Sequence, residues 1–115
     1  MNNKETEELI KIFIEEAIDL LNAISSTLQQ WSTDLSNKNY LENLKRDLHT
    51  LKGGARMVSQ PELSALAHEL ESLCEALAND SLPIDREAYN LICETHDRMV
   101  MMIEVLSKKR ETAFH

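Results

Sequence analysis

Glycine and proline are scarce in this 115-residue chain, which contains only two of each. Inside a helix a glycine costs about 1 kcal/mol and a proline about 3 kcal/mol relative to alanine, so their scarcity favours an all-α fold. Cysteine is equally rare, and Cys74 and Cys93 form neither a CxxC pair nor a disulfide framework. Both are expected to be small buried core residues.

Long apolar runs are also missing, since no segment approaches the roughly 20 apolar residues of a membrane-spanning helix. The first residues lack the basic-then-apolar order of a signal peptide. The 12 Lys and Arg residues are outnumbered by 20 Asp and Glu residues, which gives a net charge of -8. Because this charge repels nucleic-acid backbones and anionic lipids, we predict a cytoplasmic domain without nucleic-acid or membrane contact.

Apolar residues recur every three or four positions in four segments, as is typical of amphipathic helices. These predicted helices cover residues 6–31, 38–58, 60–79 and 85–108. Short polar connections favour an antiparallel up-down four-helix bundle around one core. Residues 1–115 are thus expected to form one domain, in which 109–115, where the pattern is lost, is a frayed tail or linker.

The predicted third helix has its own start signal, because Ser59 and Glu62 have the spacing of a capping box and Pro61 lies in the first turn. Asp85 is the expected cap of the fourth helix. The apolar row predicted for the third helix is Leu63, Leu66, Leu70, Leu73 and Leu77.

The most unusual segment is residues 49–55, HTLKGGA, where two adjacent glycines follow a histidine inside an otherwise continuous helical pattern. The pair costs the helix roughly 2 kcal/mol. Gly53 lies one turn beyond His49 on the same face, where a side chain would obstruct an approaching partner. We therefore expect the glycines to provide access to His49.

Cations gather around this histidine. At 100° per residue, four of the 12 basic residues fall within about 60° of His49 on the helix surface. They are Lys45, Arg46, Lys52 and Arg56. This positive surface suits an incoming anion, and a phosphoryl group is the anion we predict.

A nucleophilic histidine attacks through one ring nitrogen and needs an acceptor for the proton on the other. His68 and Glu71 lie three residues apart on one face of the third helix. In an antiparallel hairpin that turns near residues 58–59, a residue about ten positions before the turn meets one about ten positions after it. His49 is therefore expected to face His68 and Glu71.

Residues 49–55 resemble the signature of histidine phosphotransfer (HPt) domains, specifically those of chemotaxis-type histidine kinases and of the multi-HPt hybrid kinases that control type IV pili. The similarity extends to residues 12–17 (IFIEEA), Trp31 and residues 66–71 (LAHELE). The chain departs from the family at Ser59, where related sequences often have glycine before the third helix.

The resemblance implies that His49 is the phosphorylated residue and that Lys52 assists the phosphoryl group. It further implies that His68 and Glu71 complete a hydrogen-bond network, in which Glu71 accepts the Nδ1 proton of His49 and leaves Nε2 for phosphorylation. No cofactor or metal is expected.

The predicted function is phosphoryl transfer from a histidine kinase ATP-binding domain or a receiver aspartate to the aspartate of a response-regulator receiver domain. The chain lacks a glycine-rich nucleotide loop, so it is not expected to be an autonomous kinase. The residues predicted to dock these partners are Lys45, Arg46, Gly53, Gly54 and Arg56.

Two other functions compete with this prediction. A di-metal bundle needs Glu-x-x-His pairs on two helices, but the order from His68 to Glu71 is reversed and has no second pair. A non-catalytic adaptor that binds receiver or kinase domains would make His49 dispensable. Whether the chain is a free protein or one domain of a larger kinase stays open.

Overall fold

The computed structural model describes residues 3–113 and contains four helices. They are α1 (Asn3–Trp31), α2 (Asn39–Met57), α3 (Pro61–Ala78) and α4 (Arg86–Ala113). Each helix packs against the next along the chain, and α4 returns to α1. The predicted all-α antiparallel four-helix bundle is confirmed. Within the described residues, no helix combines the length and the apolar composition needed to cross a bilayer.

The outer ends of α1 and α4 extend beyond the predicted boundaries. α1 begins at Asn3, and α4 continues to Ala113 through most of the segment expected to be a frayed tail. Arg110 of α4 lies beside Glu7 of α1, with 3.8 Å between Nε and Oε2, and both side chains are mostly buried. The last turns of α4 thus lie against the first turns of α1, where the apolar pattern fades. Residues 114 and 115 of the predicted tail lie outside the described residues.

The core is formed by apolar side chains from all four helices, and the rotation of α3 differs from the prediction. Ala67 and Cys74 are fully buried, whereas Leu66 and Leu73 lie at the edge of the core. Burial raises the pKa of the Cys74 thiol to about 12, so this thiol stays protonated. Cys74 is the core residue that was expected, while Cys93 is only half-buried.

His96 is the buried polar residue of the described chain. Its Nε2–H donates to the backbone carbonyl of Leu21, 2.9 Å away, and so joins α4 to α1. Because this bond satisfies a buried polar group, His96 stabilises the bundle and lies in its interior, away from the exposed face of α2.

The turn between α2 and α3 determines how these two helices face each other. Ser59 adopts a left-handed conformation with φ of 59°, and the Gln60 N–H donates to the Ala55 carbonyl at 2.8 Å. This is the bond pattern that terminates a helix. Ser59 therefore ends α2, and the predicted capping box is wrong, because α3 begins without a side-chain cap. The predicted Asp85 cap is present, with the Ala88 N–H 2.8 Å from Oδ1.

We predict that Ser59→Gly stabilises the protein by about 1 kcal/mol, because the left-handed conformation is costly for residues with a Cβ atom. Urea unfolding measures the change. Ser81→Gly is the matched control, since Ser81 is exposed and has no positive φ. Equal effects of the two substitutions on the free energy of unfolding would contradict the left-handed conformation of Ser59.

Candidate functional site

His49 lies in the middle of α2, at the edge of the interface with α3, and 69% of its side chain is exposed. Its Nδ1 is 3.1 Å from Oε2 of Glu71. This is the cross-helix contact expected from the hairpin geometry. The half of the ring that carries Nδ1 is thus held by α3, while most of the side chain stays open to solvent.

Glu71 is shared between two residues of α2. Its other oxygen, Oε1, accepts a hydrogen bond from Nζ of Lys52 at 2.9 Å. Partial burial by itself raises the pKa of Glu71, but the hydrogen bonds from Lys52 and His49 outweigh it and hold that pKa below its ordinary value. An ionised carboxylate can only accept, so in the neutral imidazole of His49 the proton lies on Nδ1 and Nε2 has a free lone pair.

His68 is exposed and lines the same surface depression as His49. No hydrogen bond or ion pair joins it to the residues of this site within the described chain. The prediction that His68 completes the hydrogen-bond network is therefore not met. It stands beside the network, one turn before Glu71.

The open depression between α2 and α3 has a floor of small residues. His49, Lys52 and Arg56 contribute its polar side chains from α2, and His68 contributes one from α3. The small residues that line it are Gly53, Ser59, Pro61, Ser64 and Ala65. The Ser64 hydroxyl donates to the Lys52 carbonyl at 3.2 Å, which ties the two walls together. The depression is thus accessible to a convex partner surface.

The two glycines serve different purposes. A Cβ atom on Gly53 would meet nothing within 4 Å, which agrees with an open approach to His49. A Cβ atom on Gly54 would lie 3.1 Å from the ring of Phe13. Gly54 lets α1 approach α2 closely, and its predicted role in docking a partner stays a prediction.

Two of the four cations predicted to surround His49, Lys45 and Lys52, are paired with carboxylates. Lys45 is half-buried and forms ion pairs with Glu75 of α3 and Glu42 of its own helix, so its charge is already partnered, and its predicted docking role stays a prediction. Lys52 is engaged by Glu71, as described above. Arg46 and Arg56 remain exposed. Glu75 was not among the predicted site residues, although its position one turn after Glu71 indicates that it also faces α2.

No group of three or more metal-ligating side chains is assembled within residues 3–113. The site presents an exposed imidazole, held at Nδ1 by a carboxylate, beside ammonium and guanidinium groups.

Comparisons with known proteins agree with this geometry. The family model described as "Hpt domain" matches residues 8–108. The "Chemotaxis protein CheA" of Treponema pallidum (strain Nichols) is 31% identical over 98 residues, which are 85% of this chain and 12% of that protein. The chain thus spans a small part of the length of its curated relative.

Two solved structures share the fold. One is the "CheA phosphotransferase domain from Thermotoga maritima", with a TM-score of 0.82 and 23% identity, covering 88% of this chain and 96% of that one. The other is the phosphorylated P1 domain of CheA3 in complex with CheY6 from R. sphaeroides, with a TM-score of 0.82 and 21% identity over 90% of this chain and 81% of that one. At these identities the likeness establishes the four-helix architecture.

The lowered pKa of Glu71 predicts a pH dependence of stability. Its contribution is fully present above the ordinary pKa of 4.5 and is lost as the pH falls through the lower value of the folded state. Urea unfolding of wild type and Glu71→Gln across this range should give a difference in unfolding free energy that shrinks as the pH falls below 4.5. A difference that grows on acidification would contradict the prediction.

The glycines yield a separate prediction. Gly53→Ala should stabilise the protein by about 1 kcal/mol, because alanine is the better helix former and meets open space. Gly54→Ala should gain less or destabilise, because the Phe13 ring must move. Thermal unfolding of both variants provides the comparison, and equal gains would refute the packing role of Gly54.

Proposed function

Because the chain belongs to the Hpt domain family, we propose that it is a phosphoryl carrier of a two-component or chemosensory pathway and that His49 carries the phosphoryl group. The donor is the ATP-binding domain of a histidine kinase or the phosphorylated aspartate of a receiver. The acceptor is the aspartate of a response-regulator receiver domain. The hydrogen bond between His49 Nδ1 and Glu71 is the observation that carries the proposal.

The hydrogen bond matters because it selects the nitrogen that reacts. The Nε2 lone pair forms a bond to phosphorus while the bond from phosphorus to the leaving oxygen breaks. That oxygen leaves with ADP when ATP is the donor, and with the aspartate carboxylate when a phosphorylated receiver is the donor. The imidazole gains positive charge, which the ionised Glu71 stabilises through the retained Nδ1 proton.

Onward transfer reverses these events. An aspartate oxygen of the receiver forms a bond to phosphorus, the bond from phosphorus to Nε2 breaks, and the electron pair returns to the ring. Glu71 then again holds a neutral imidazole with its proton on Nδ1. The same contact serves both directions, which is what a carrier requires.

Lys52 supports the site in two ways in this proposal. Its ammonium helps to keep Glu71 ionised despite partial burial. It also lies within one helical turn of His49, where a cation stabilises the negative oxygens of a transferring phosphoryl group. Removing Lys52 would therefore weaken both the orientation of the ring and the stabilisation of the phosphoryl charge.

The proposed docking surface for the receiver is the depression around His49, with open space at Gly53 and exposed guanidinium groups on Arg46 and Arg56. A receiver aspartate and its phosphoryl group are anionic, so these arginines complement them. The complex of a related P1 domain with CheY6 supports a receiver as the partner. A cytoplasmic location of the domain is part of this proposal, because it would give access to such partners.

The non-catalytic adaptor explains less of the geometry. A docking surface gains nothing from an ionised, mostly buried carboxylate that binds one nitrogen of an exposed imidazole, because burying Glu71 carries a desolvation cost. Phosphoryl transfer uses the ionised carboxylate directly.

We expect His49→Gln to stay folded and to take up no phosphoryl group, because glutamine cannot replace the Nε2 nucleophile. Mass spectrometry after incubation with the kinase domain of a CheA relative and ATP measures the uptake. Glu94→Gln is the control, since Glu94 is an exposed residue of α4 that does not line the depression around His49, so its variant should retain uptake. Undiminished labelling of His49→Gln would overturn the proposal and favour another phosphorylated residue.

A further inference from the structure

Two carboxylates of α3, Glu71 and Glu75, face α2 one helical turn apart. The α2 residues opposite them are Lys45, His49 and Lys52, also about one turn apart. Glu75 pairs with Lys45, and Glu71 binds both His49 and Lys52. Three possible hydrogen-bond donors of α2 thus share two carboxylate acceptors of α3, and only one of these donors is an imidazole.

Lys45 is held firmly in its place. Its ammonium binds Glu75 and also lies 3.3 Å from Oε2 of Glu42. Only 22% of its side chain is exposed. The hydrogen bond with Glu75 is the largest cause that raises the pKa of Lys45, so the side chain is a permanent cation at this interface.

Lys45 also lies close to the Glu71 side of the interface. The buried thiol of Cys74, which lies on α3 between Glu71 and Glu75, is influenced by both charges. Burial is the largest cause of its raised pKa, while Lys45 lowers that pKa and Glu71 raises it. Lys45 precedes His49 by one turn, a rise of about 6 Å that a lysine side chain can span. A released ammonium could therefore reach the Glu71 carboxylate.

Competition at Glu71 would favour the ammonium. A charged donor forms a stronger hydrogen bond with a carboxylate than a neutral imidazole N–H does. His49 is also the most exposed member of the network, with 69% of its side chain accessible, and its ring is free to turn toward solvent. Without Glu75, only the exposed Glu42 of its own helix would hold Lys45, and the Nδ1 contact of His49 with Glu71 is the one that would be lost to the freed ammonium.

We propose that Glu75 is a positioning residue that holds Lys45 away from Glu71 and so reserves the Glu71 carboxylate for His49. This inference rests on the proposed function, because an oriented His49 matters only if the imidazole reacts. Glu75 touches neither His49 nor the phosphoryl group, and its effect passes through Lys45.

The test compares Glu75→Gln with the double variant Glu75→Gln/Lys45→Met. The first weakens the hold on Lys45, and the second also removes the competing ammonium while keeping a long side chain. Glu69→Gln is the matched control, because Glu69 is an exposed carboxylate of α3 on the face toward α4. Circular dichroism establishes that each variant is folded.

Two measurements are made on each variant. Nitrogen-15 NMR of the imidazole gives the fraction of His49 that carries its proton on Nδ1. Mass spectrometry gives the rate of phosphorylation by phosphoramidate, a small donor whose P–N bond breaks as ammonia leaves, so no docked partner is needed.

Glu75→Gln should lower the Nδ1-protonated fraction and slow phosphorylation several-fold. Adding Lys45→Met should restore both, although the double variant also lacks the Lys45–Glu75 ion pair. A purely structural role for the ion pair predicts no rescue. Absence of rescue, or a tautomer unaffected by Glu75→Gln, would overturn the inference.

Failure of the proposed function would look different. Wild-type protein would then take up no phosphoryl group from phosphoramidate or from a kinase domain, while the NMR measurement would still decide whether Glu75 controls the His49 tautomer. If the double variant is unfolded, Lys45→Met alone replaces it. It should keep the wild-type tautomer, and loss of the Nδ1 proton in that variant would contradict the proposal.

Discussion

The Glu71 carboxylate binds two residues of the neighbouring helix at once, His49 through one oxygen and Lys52 through the other. Each contact depends on the other. Burial alone would raise the pKa of Glu71 and favour its neutral form. A neutral carboxylic acid could donate its own proton to Nδ1 of His49, and Nδ1 would then no longer need to carry one. The ammonium of Lys52 helps to keep the carboxylate ionised, and an ionised carboxylate is what fixes the His49 proton on Nδ1. The orientation of an exposed histidine thus depends on a mostly buried ion pair.

That contact requires the correct register between α2 and α3, since His49 and Glu71 are separated by 22 positions of the chain. The turn at Ser59 sets where α2 ends and α3 begins, and the leucines that both helices bury set which faces meet. Ser64 adds a bond to the Lys52 carbonyl inside the stretch weakened by glycine. The relative position of His49 and Glu71 is therefore set by the α2–α3 hairpin, whose two helices are joined by side chains along their length.

Much of this was readable from the sequence, because apolar periodicity identifies helices and short connections make neighbouring helices antiparallel. The same reasoning placed His49 opposite Glu71. Periodicity does not fix the rotation of a helix to within one position. The prediction therefore placed Leu66 in the core, whereas the structure buries Ala67. Nor does it show which cation meets which carboxylate, so Lys45 was assigned to an exposed face although Glu75 binds it. The continuation of α4 brings Arg110 beside Glu7 of α1, a contact that no local pattern contains.

The adjacent glycines show how the structure alters an energetic argument. From the sequence, both glycines weaken α2 for the sake of access to His49, at a combined cost of roughly 2 kcal/mol. In the fold, Gly54 lies against Phe13, and the close approach of α1 offsets its helix-weakening effect. Gly53 has open space beside it and no packing that would compensate. Access to His49 therefore costs the helix the stability of one glycine, about 1 kcal/mol. That glycine is Gly53, one turn from the imidazole.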